Sequence, residues 1–197
     1  MPTSKLGNLA IAVAIAGGLF TALTFAETSA PGLDFGTTRF VLPLVLGTGL
    51  FTGLSTLALN RRMPVASDAL KAELLAFPPR PGAGWIVVMR DRKGAARSIG
   101  FDVSVDGEMI AQLMPKHFTM IAVPAGTHSL FVDIPGAPGP SAVAPLDIAV
   151  TQGAIMIFAI RTSMGLLRTS PRLDPVADAP GGRAMLARMR LVEPQRL

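Results

Sequence analysis

The 197-residue chain has no cysteine and no tyrosine, and it has only two histidines and one tryptophan. Without cysteine there can be no disulfide, no thiolate metal site, no cysteine nucleophile and no lipid-modified N-terminal cysteine. Two histidines leave few side chains for acid–base or metal chemistry near neutral pH. These absences remove several common classes of enzyme and metal-binding domain.

Charge is also scarce, since 16% of the residues are charged and 50% are hydrophobic, against a usual charged share of about 25%. The net charge of +5 suits nucleic acid in principle, but basic residues at a membrane surface explain it equally well. The apolar excess lies mostly in the first sixty residues. The composition therefore favours a membrane protein that carries a soluble domain.

Two uncharged apolar runs occupy residues 6–25 and 40–59. About 20 apolar residues in a helix match the ~30 Å hydrocarbon core of a bilayer. Because the linker between the runs is short, we expect residues 1–62 to form a transmembrane α-helical hairpin. A cleaved signal peptide is the alternative for the first run, although that run is longer than the usual apolar region of about 7–15 residues.

Small residues recur at a spacing of four in both runs, as Ala14 and Gly18 and as Gly49 and Gly53. This spacing lets the backbones of membrane helices approach closely. We expect these residues to pack the hairpin internally or to face another membrane protein.

Basic residues follow the second run at Arg61, Arg62 and Lys71, whereas the linker between the runs has Arg39 beside acidic residues. Lysine and arginine near span ends favour the cytoplasmic side. We therefore expect a bacterial inner-membrane protein with two spans and with both termini in the cytoplasm. A periplasmic β-domain is the alternative.

A short amphipathic helix is predicted after the second run, with Ser67 as its N-cap. This helix can lie on the membrane surface or pack against the domain that follows it. A proline-rich stretch then marks the predicted boundary, so residues 63–83 are interpreted as helix and linker.

Residues 84–161 predict an antiparallel β-sandwich of about seven short strands. Asp106-Gly107 is a strong hairpin signal, because a type I′ turn needs positive φ at both central residues. Pro124 and Gly126 predict a second corner, and a last hairpin is expected across Gln152-Gly153.

The opening strand ending in arginine, the V-x-V-D-G hairpin and the P-x-G-x-H corner resemble the bacterial DUF2846 family. The same region is similar to the broader PEGA-like β-sandwich domains. The resemblance covers about residues 84–161 and implies an architecture. Its residues shape turns, namely Asp106, Gly107, Pro124, Gly126 and His128, and it implies no activity.

Catalytic groups are not recognisable in this sequence. We expect His128 to hydrogen-bond the backbone of its turn and His117 to be solvated at the start of a strand. The carboxylates are scattered without a spacing typical of acid–base pairs. We therefore predict no enzyme activity, no cofactor and no metal site.

The last segment, residues 162–197, is predicted to be a basic irregular tail with a short helix. Together with the residues after the second run, it supplies candidate contacts for anionic lipid or for a partner. These are Arg61, Arg62, Arg183, Arg188 and Arg190. No motif for nucleic acid accompanies them.

These features predict a non-enzymatic membrane protein that presents a β-sandwich, as a scaffold or accessory subunit of a larger membrane complex. Its expected partners are the bilayer and other integral membrane subunits, and its oligomeric state is left open. The alternative is a module that binds lipid headgroups or a small ligand at the membrane surface.

Overall fold

The computed structural model describes residues 5–30, 32–91, 98–135, 144–164, 169–176 and 179–195. The chain divides into two compact units, Met1–Leu59 and Asn60–Leu197. The first unit holds two apolar helices, and the second holds the β-strands.

The helices of the first unit are α1 (Lys5–Ser29) and α2 (Thr38–Ala58). Both are long and apolar enough to cross a membrane, with mean hydropathies of 2.2 and 1.3. Large apolar side chains face outwards, such as Val13 at 61% exposure and Leu44 at 69%. The two predicted apolar helices are confirmed, and their crossing of a membrane stays a prediction.

An ion pair ties the end of α1 to the start of α2. Arg39 Nη1 lies 2.6 Å from Glu27 Oε2, and the backbone N–H of Phe35 donates to Glu27 Oε1 at 2.7 Å. One carboxylate thus holds both the following loop and the next helix, which favours a tight antiparallel pair.

Small residues bring α1 and α2 together, but they are not the predicted ones. A Cβ placed on Gly47 would lie 3.0 Å from Ala16 Cβ and 3.4 Å from the Ala12 carbonyl oxygen. Ala12 and Pro43 are buried. The helices therefore meet along a face that contains Ala12, Ala16 and Gly47.

The prediction that Ala14, Gly18, Gly49 and Gly53 pack the hairpin internally is wrong. Ala14 is exposed, and a Cβ on any of the three glycines would meet no atom within 4 Å. Each of Ala14, Gly18 and Gly49 lies two residues from a true contact, and two residues turn a helix by about 200°. These residues therefore occupy the outward side.

The second unit contains nine strands and two helices among its described residues. The strands are β1 (Ala83–Arg90), β2 (Phe101–Val105), β3 (Glu108–Leu113), β4 (His117–Pro124), β5 (Gly126–Asp133), β6 (Leu146–Val150), β7 (Ile155–Met164), β8 (Thr169–Pro175) and β9 (Arg190–Leu191). The helices are α3 (Asp68–Leu75) and α4 (Ala179–Ala187).

These strands form two sheets, one in the order β8-β7-β1-β4-β9 and one in the order β3-β2-β5-β6. Alternate side chains such as Val88 from the first sheet and Phe101 and Val103 from the second fill one buried core. A helical pair with a β-sandwich is thus confirmed in outline. The sandwich has nine described strands rather than about seven, and β1–β7 and β4–β9 pair in parallel.

The predicted Asp106-Gly107 hairpin is confirmed, since β2 pairs with β3 and both turn residues have positive φ, 53° and 79°. The predicted hairpin across Gln152-Gly153 is wrong. β6 pairs with β5 in one sheet and β7 pairs with β1 in the other. The Gln152-Gly153 turn therefore connects the two sheets instead of closing a hairpin.

Helices α3 and α4 cover the outer face of the five-stranded sheet. Trp85 and Met120 pack there with Leu74 of α3 and Leu186 of α4 in a second buried cluster. Ser67 caps α3 by accepting from the Leu70 N–H at 3.2 Å, as predicted. Of the two predicted placements for α3, packing against the β-domain is observed.

Residues 63–83 hold the predicted short helix, α3, and both this segment and residues 162–197 belong to the same compact unit as the other strands. They cover β1, which is buried at seven successive positions from Gly84 to Arg90. A strand that is apolar on both faces needs a cover on each side. The predicted irregular tail supplies β8, α4 and β9, of which α4 matches the expected short helix.

Arg90 closes the interior at the end of β1, where it is only 3% exposed. Its guanidinium donates to the carbonyl oxygens of Ile99 and Leu113, the second at 2.9 Å, and stacks 3.8 Å from the Phe101 ring centre. Desolvation lowers the pKa of Arg90 to about 10, so it remains charged at neutral pH.

We expect Arg90→Lys to lower the free energy of unfolding by about 1–3 kcal/mol, because an ammonium cannot reproduce the stacked, forked geometry. Chemical denaturation of the detergent-solubilised full chain measures the change. Arg188→Lys, at an exposed position after α4, is the matched control and should leave stability unchanged. Equal stability of Arg90→Lys and the wild type would contradict this role.

The helix register is tested by cysteine pairs in this cysteine-free chain. Ala16→Cys with Gly47→Cys should form an intramolecular disulfide, since their Cβ positions lie 3.0 Å apart and a small outward shift reaches the usual separation of about 3.8 Å. Gly18→Cys with Gly49→Cys should stay unlinked within one chain, because both point away from the contact. Mass spectrometry after mild oxidation distinguishes the two outcomes, and the opposite pattern would disprove the register.

Candidate functional site

A strap of residues 60–66 begins the second unit and lies along the short strand β9. Val65 forms an antiparallel bridge with Val192, and the Ala66 N–H donates to the Leu191 carbonyl at 2.9 Å. The Glu193 N–H returns a bond to the Pro64 carbonyl at 3.1 Å. The end of the strap is thus joined to the sheet edge by a single antiparallel bridge.

The start of the strap is held by polar side chains. Asn60 Nδ2 donates to the Ser98 carbonyl at 2.7 Å, and Asn60 Oδ1 accepts from the Gly100 N–H at 2.7 Å. Gln112 Oε1 accepts from the Arg61 N–H at 2.5 Å. Both amide side chains therefore fix the backbone of the strap to the β-sandwich.

Gln112 is 2% exposed, and its side chain is held in place by Asp102 and by the space beside Gly100. Its Nε2 donates to Asp102 Oδ1 at 2.7 Å. A Cβ on Gly100 would lie 2.6 Å from the Gln112 side chain, so only glycine leaves room for it. Burial raises the pKa of Asp102, while the Gln112 hydrogen bond and the positive charge of Arg61 oppose that rise.

A cationic groove of about 480 Å³ opens between the strap and strands β3 and β4. Its polar lining residues are Asn60, Arg61, Arg62, Gln112 and His117, and its apolar ones are Met63, Val65, Met114 and Val192. The groove therefore combines two arginines and a histidine with four apolar side chains.

The two arginines of the groove differ in their surroundings. Arg61 Nη1 lies 3.2 Å from the sulfur of Met109, and its charge also acts on Asp102. Arg62 is exposed and makes no hydrogen bond or ion pair with any residue that the structure describes. Arg62 is thus the cation best placed to meet an external anion.

His117 opens β4 and is half-buried beside the groove. Its Nδ1 lies 2.9 Å from the Pro115 carbonyl oxygen and must donate to it. Nε2 has no hydrogen-bond partner among the described residues. His117 starts its strand as expected, and its side chain, half-buried, lines the groove.

The other predicted contact arginines do not line this groove. Arg183 belongs to α4, with its guanidinium carbon 4.9 Å from the Phe77 ring centre. Arg188 is exposed after α4. Arg190 pairs with His117 through β9 and β4, so its backbone is adjacent to the groove. Of the five predicted arginines, therefore, only Arg61 and Arg62 line the groove.

The predicted turn residues Asp106, Pro124 and His128 are brought together by the fold. His128 Nε2 lies 2.8 Å from the Pro124 carbonyl oxygen, which confirms the expected bond to the turn backbone. His128 Nδ1 lies 2.7 Å from Asp106 Oδ2, and the Ser129 N–H donates to Asp106 Oδ1 at 2.8 Å. Gly107 and Gly126 provide positive φ at the two corners.

Both ring nitrogens of His128 face acceptors, an arrangement that only the protonated ring satisfies completely. The Asp106 hydrogen bond accordingly raises the pKa of His128 above 6.5. The reciprocal bond lowers the pKa of Asp106 below 3.8. The cluster joins the β2–β3 turn to β5 and is structural.

Within the described ranges, no group of three or more His, Cys, Asp or Glu side chains is arranged to hold a metal ion. Comparison with protein-family models, curated proteins and solved structures gave no match to this chain. The resemblance to DUF2846 and PEGA-like domains therefore stays a prediction.

Sequence reasoning had marked Arg61 and Arg62 from their position after the second apolar run. It missed Asn60, Gln112 and His117 as their neighbours. Arg61 and Gln112 are 51 positions apart in sequence, and no local pattern signals such a contact. The groove is a product of tertiary structure.

The His128–Asp106 pair should make stability depend on pH. The contribution of His128 is complete below pH 6.5 and is lost as pH rises through its raised folded pKa. The contribution of Asp106 is present above pH 3.8 and is lost as pH falls through its lowered pKa. The pair therefore stabilises most between these two values.

We expect His128→Gln to reduce stability at pH 6 by less than about 1 kcal/mol, since the Asp106 side chain is 53% exposed and solvent screens the pair. The variant should also flatten the fall in stability as pH rises above 6.5. Asp106→Asn should flatten the same region, and a double-mutant cycle by thermal denaturation measures the coupling. Independent, additive effects of the two substitutions would disprove the pair.

Proposed function

We propose that this protein is a non-enzymatic integral membrane protein whose β-sandwich serves as an interaction module, as a scaffold or accessory subunit of a larger membrane complex. The observation that carries the proposal is the outer surface of the helical pair. Large apolar side chains cover it, including Leu6 at 78% exposure and Phe25 at 70%. Hydrocarbon is the solvent that such a surface fits.

The outward glycines support a neighbouring membrane subunit. Gly18, Gly49 and Gly53 leave open space within 4 Å of a Cβ, and small residues at helix spacing permit close approach of another helix. An apolar groove of about 270 Å³ runs along the same pair, lined among others by Leu9, Pro43 and Phe51. The second of the two placements predicted for the small residues is the one we propose.

Orientation follows from the arginines that succeed α2. Arg61 and Arg62 lie three and four residues after Ala58, the last residue of α2. Basic residues so close to a span end favour the cytoplasmic side. We therefore propose a two-span inner-membrane protein with both termini and the β-sandwich in the cytoplasm.

A second function is favoured by the cationic groove, namely binding of a lipid headgroup or small ligand. This function is compatible with the first, because an accessory subunit can bind lipid and protein at different surfaces. The residues involved are also different, since the glycines lie in α1 and α2 and the groove lies in the second unit.

Purification in mild detergent tests the subunit role. We expect the wild type to co-purify with another integral membrane protein in defined stoichiometry, and Gly49→Leu to lose it because leucine fills the open face. Val45→Leu, also on an exposed position of α2, is the control that should retain the partner. Native mass spectrometry measures the assemblies.

A wild-type protein that is monomeric and free of partners in this experiment would contradict the subunit role. Loss of the partner with both leucine variants would show that the contact does not depend on the glycine face.

A further inference from the structure

We propose that the cationic groove binds the phosphate-bearing headgroup of an anionic glycerophospholipid, with Arg62 contacting the phosphate. This inference rests on the proposed membrane location and gives the second function a specific ligand class and site. The charge of the groove bears on the phosphate of the ligand, and its apolar lining bears on the glycerol and the first methylenes.

The charge of the groove suits a phosphate. Arg61, Arg62 and His117 line it, while Lys116 and Arg190 adjoin His117 in sequence and through strand pairing. Acidic groups on the adjoining elements include Asp102, which Gln112 and Arg61 already engage and which Asp133 neighbours, and Glu193 beside the strap. The balance is positive, and Arg62 has no internal partner among the described residues.

The apolar lining of the groove suits a lipid better than free phosphate. Met63, Val65, Met114 and Val192 are apolar and lie beside the arginines. Inorganic phosphate would leave this apolar surface in water, whereas the glycerol and first methylenes of a lipid would cover it. A phosphate next to apolar walls is also less screened by solvent, which strengthens its attraction to arginine.

Chain connectivity keeps the groove close to the end of α2. Arg62 follows Ala58 by four residues, so the two Cα atoms are at most about 14 Å apart. If α2 spans the bilayer, the strap then begins at the depth of the lipid headgroups. Connectivity therefore keeps Arg62 within about 14 Å of the end of this helix.

The groove is organised before any ligand arrives. Asn60 and Gln112 hold the start of the strap, and the Val65–Val192 bridge holds its end. Arg62 is carried between these two anchored points. Binding thus orders one side chain rather than a loop, which keeps its entropic cost low.

The test uses the full chain, purified in neutral detergent and delipidated. Short-chain phosphatidylglycerol, short-chain phosphatidylcholine and inorganic phosphate are titrated separately, and binding is followed by native mass spectrometry and the melting temperature. We expect phosphatidylglycerol to bind and to raise the melting temperature, and the other two probes to bind at least about tenfold more weakly.

Two substitutions locate the site. Arg62→Glu should weaken phosphatidylglycerol binding about tenfold or more, and Arg62→Ala should weaken it less. Arg188→Glu makes the same charge change at an exposed arginine outside the groove and should alter binding less than about twofold. The melting temperatures without lipid show that each variant is folded.

Three results would overturn the proposal. If phosphatidylcholine bound as tightly as phosphatidylglycerol, the groove would not select for charge. If inorganic phosphate bound as tightly, the site would be one for free phosphate, and if Arg188→Glu weakened binding as much as Arg62→Glu, the attraction would come from the overall positive charge.

Membrane fractionation distinguishes a failure of this proposal from a failure of the proposed function. A chain that carbonate washing releases from membranes contradicts the anchor, whereas a retained chain without selective binding contradicts only the groove.

Discussion

The burial of β1 on both faces is the constraint on which the second unit depends. From Gly84 to Arg90 every residue is buried, so one sheet face needs the second sheet and the other needs α3 and α4. These helices come from opposite ends of the unit, before β1 and after β8. Residues 63–83 and 162–197, whose sequences resemble a linker and a tail, therefore fold as part of the unit because they cover this strand.

The same constraint creates the cationic groove. Because α3 docks beside the sheet, the chain between α2 and α3 must pass along the sheet edge, and there it pairs with β9 and Val192. β9 itself exists because the chain leaving α4 lies beside β4. The strap and its arginines are therefore positioned because α3 must cover the apolar face of β1. Hydrogen bonds from Asn60 and Gln112 then fix the strap in place.

The sequence predicted what short-range patterns determine. Alternation and turn residues located seven strands, Ser67 marked the start of α3, and Asp106-Gly107 marked a hairpin. The pairing of strands is harder to predict from sequence, since β6 and β7 are consecutive but lie in different sheets. Helices that are apolar all round do not reveal which face meets a neighbour, so the spacing of Ala14 and Gly18 does not indicate that Ala12 and Ala16 make the contact. The groove joins residues of three distant segments, 60–65, 112–117 and 192, and has no local signal beyond its arginines.

A ligand in the groove would act on more than its own contacts. It would touch the strap, β3, β4 and Val192, which belong to both sheets and to the segment that follows α2. Any molecule that binds only when these parts are assembled stabilises the assembled state, by mass action. A headgroup would therefore link the stability of the β-sandwich to the composition of the surrounding bilayer. Such linkage would follow from the strap both bonding to the sheet edge and lining the groove.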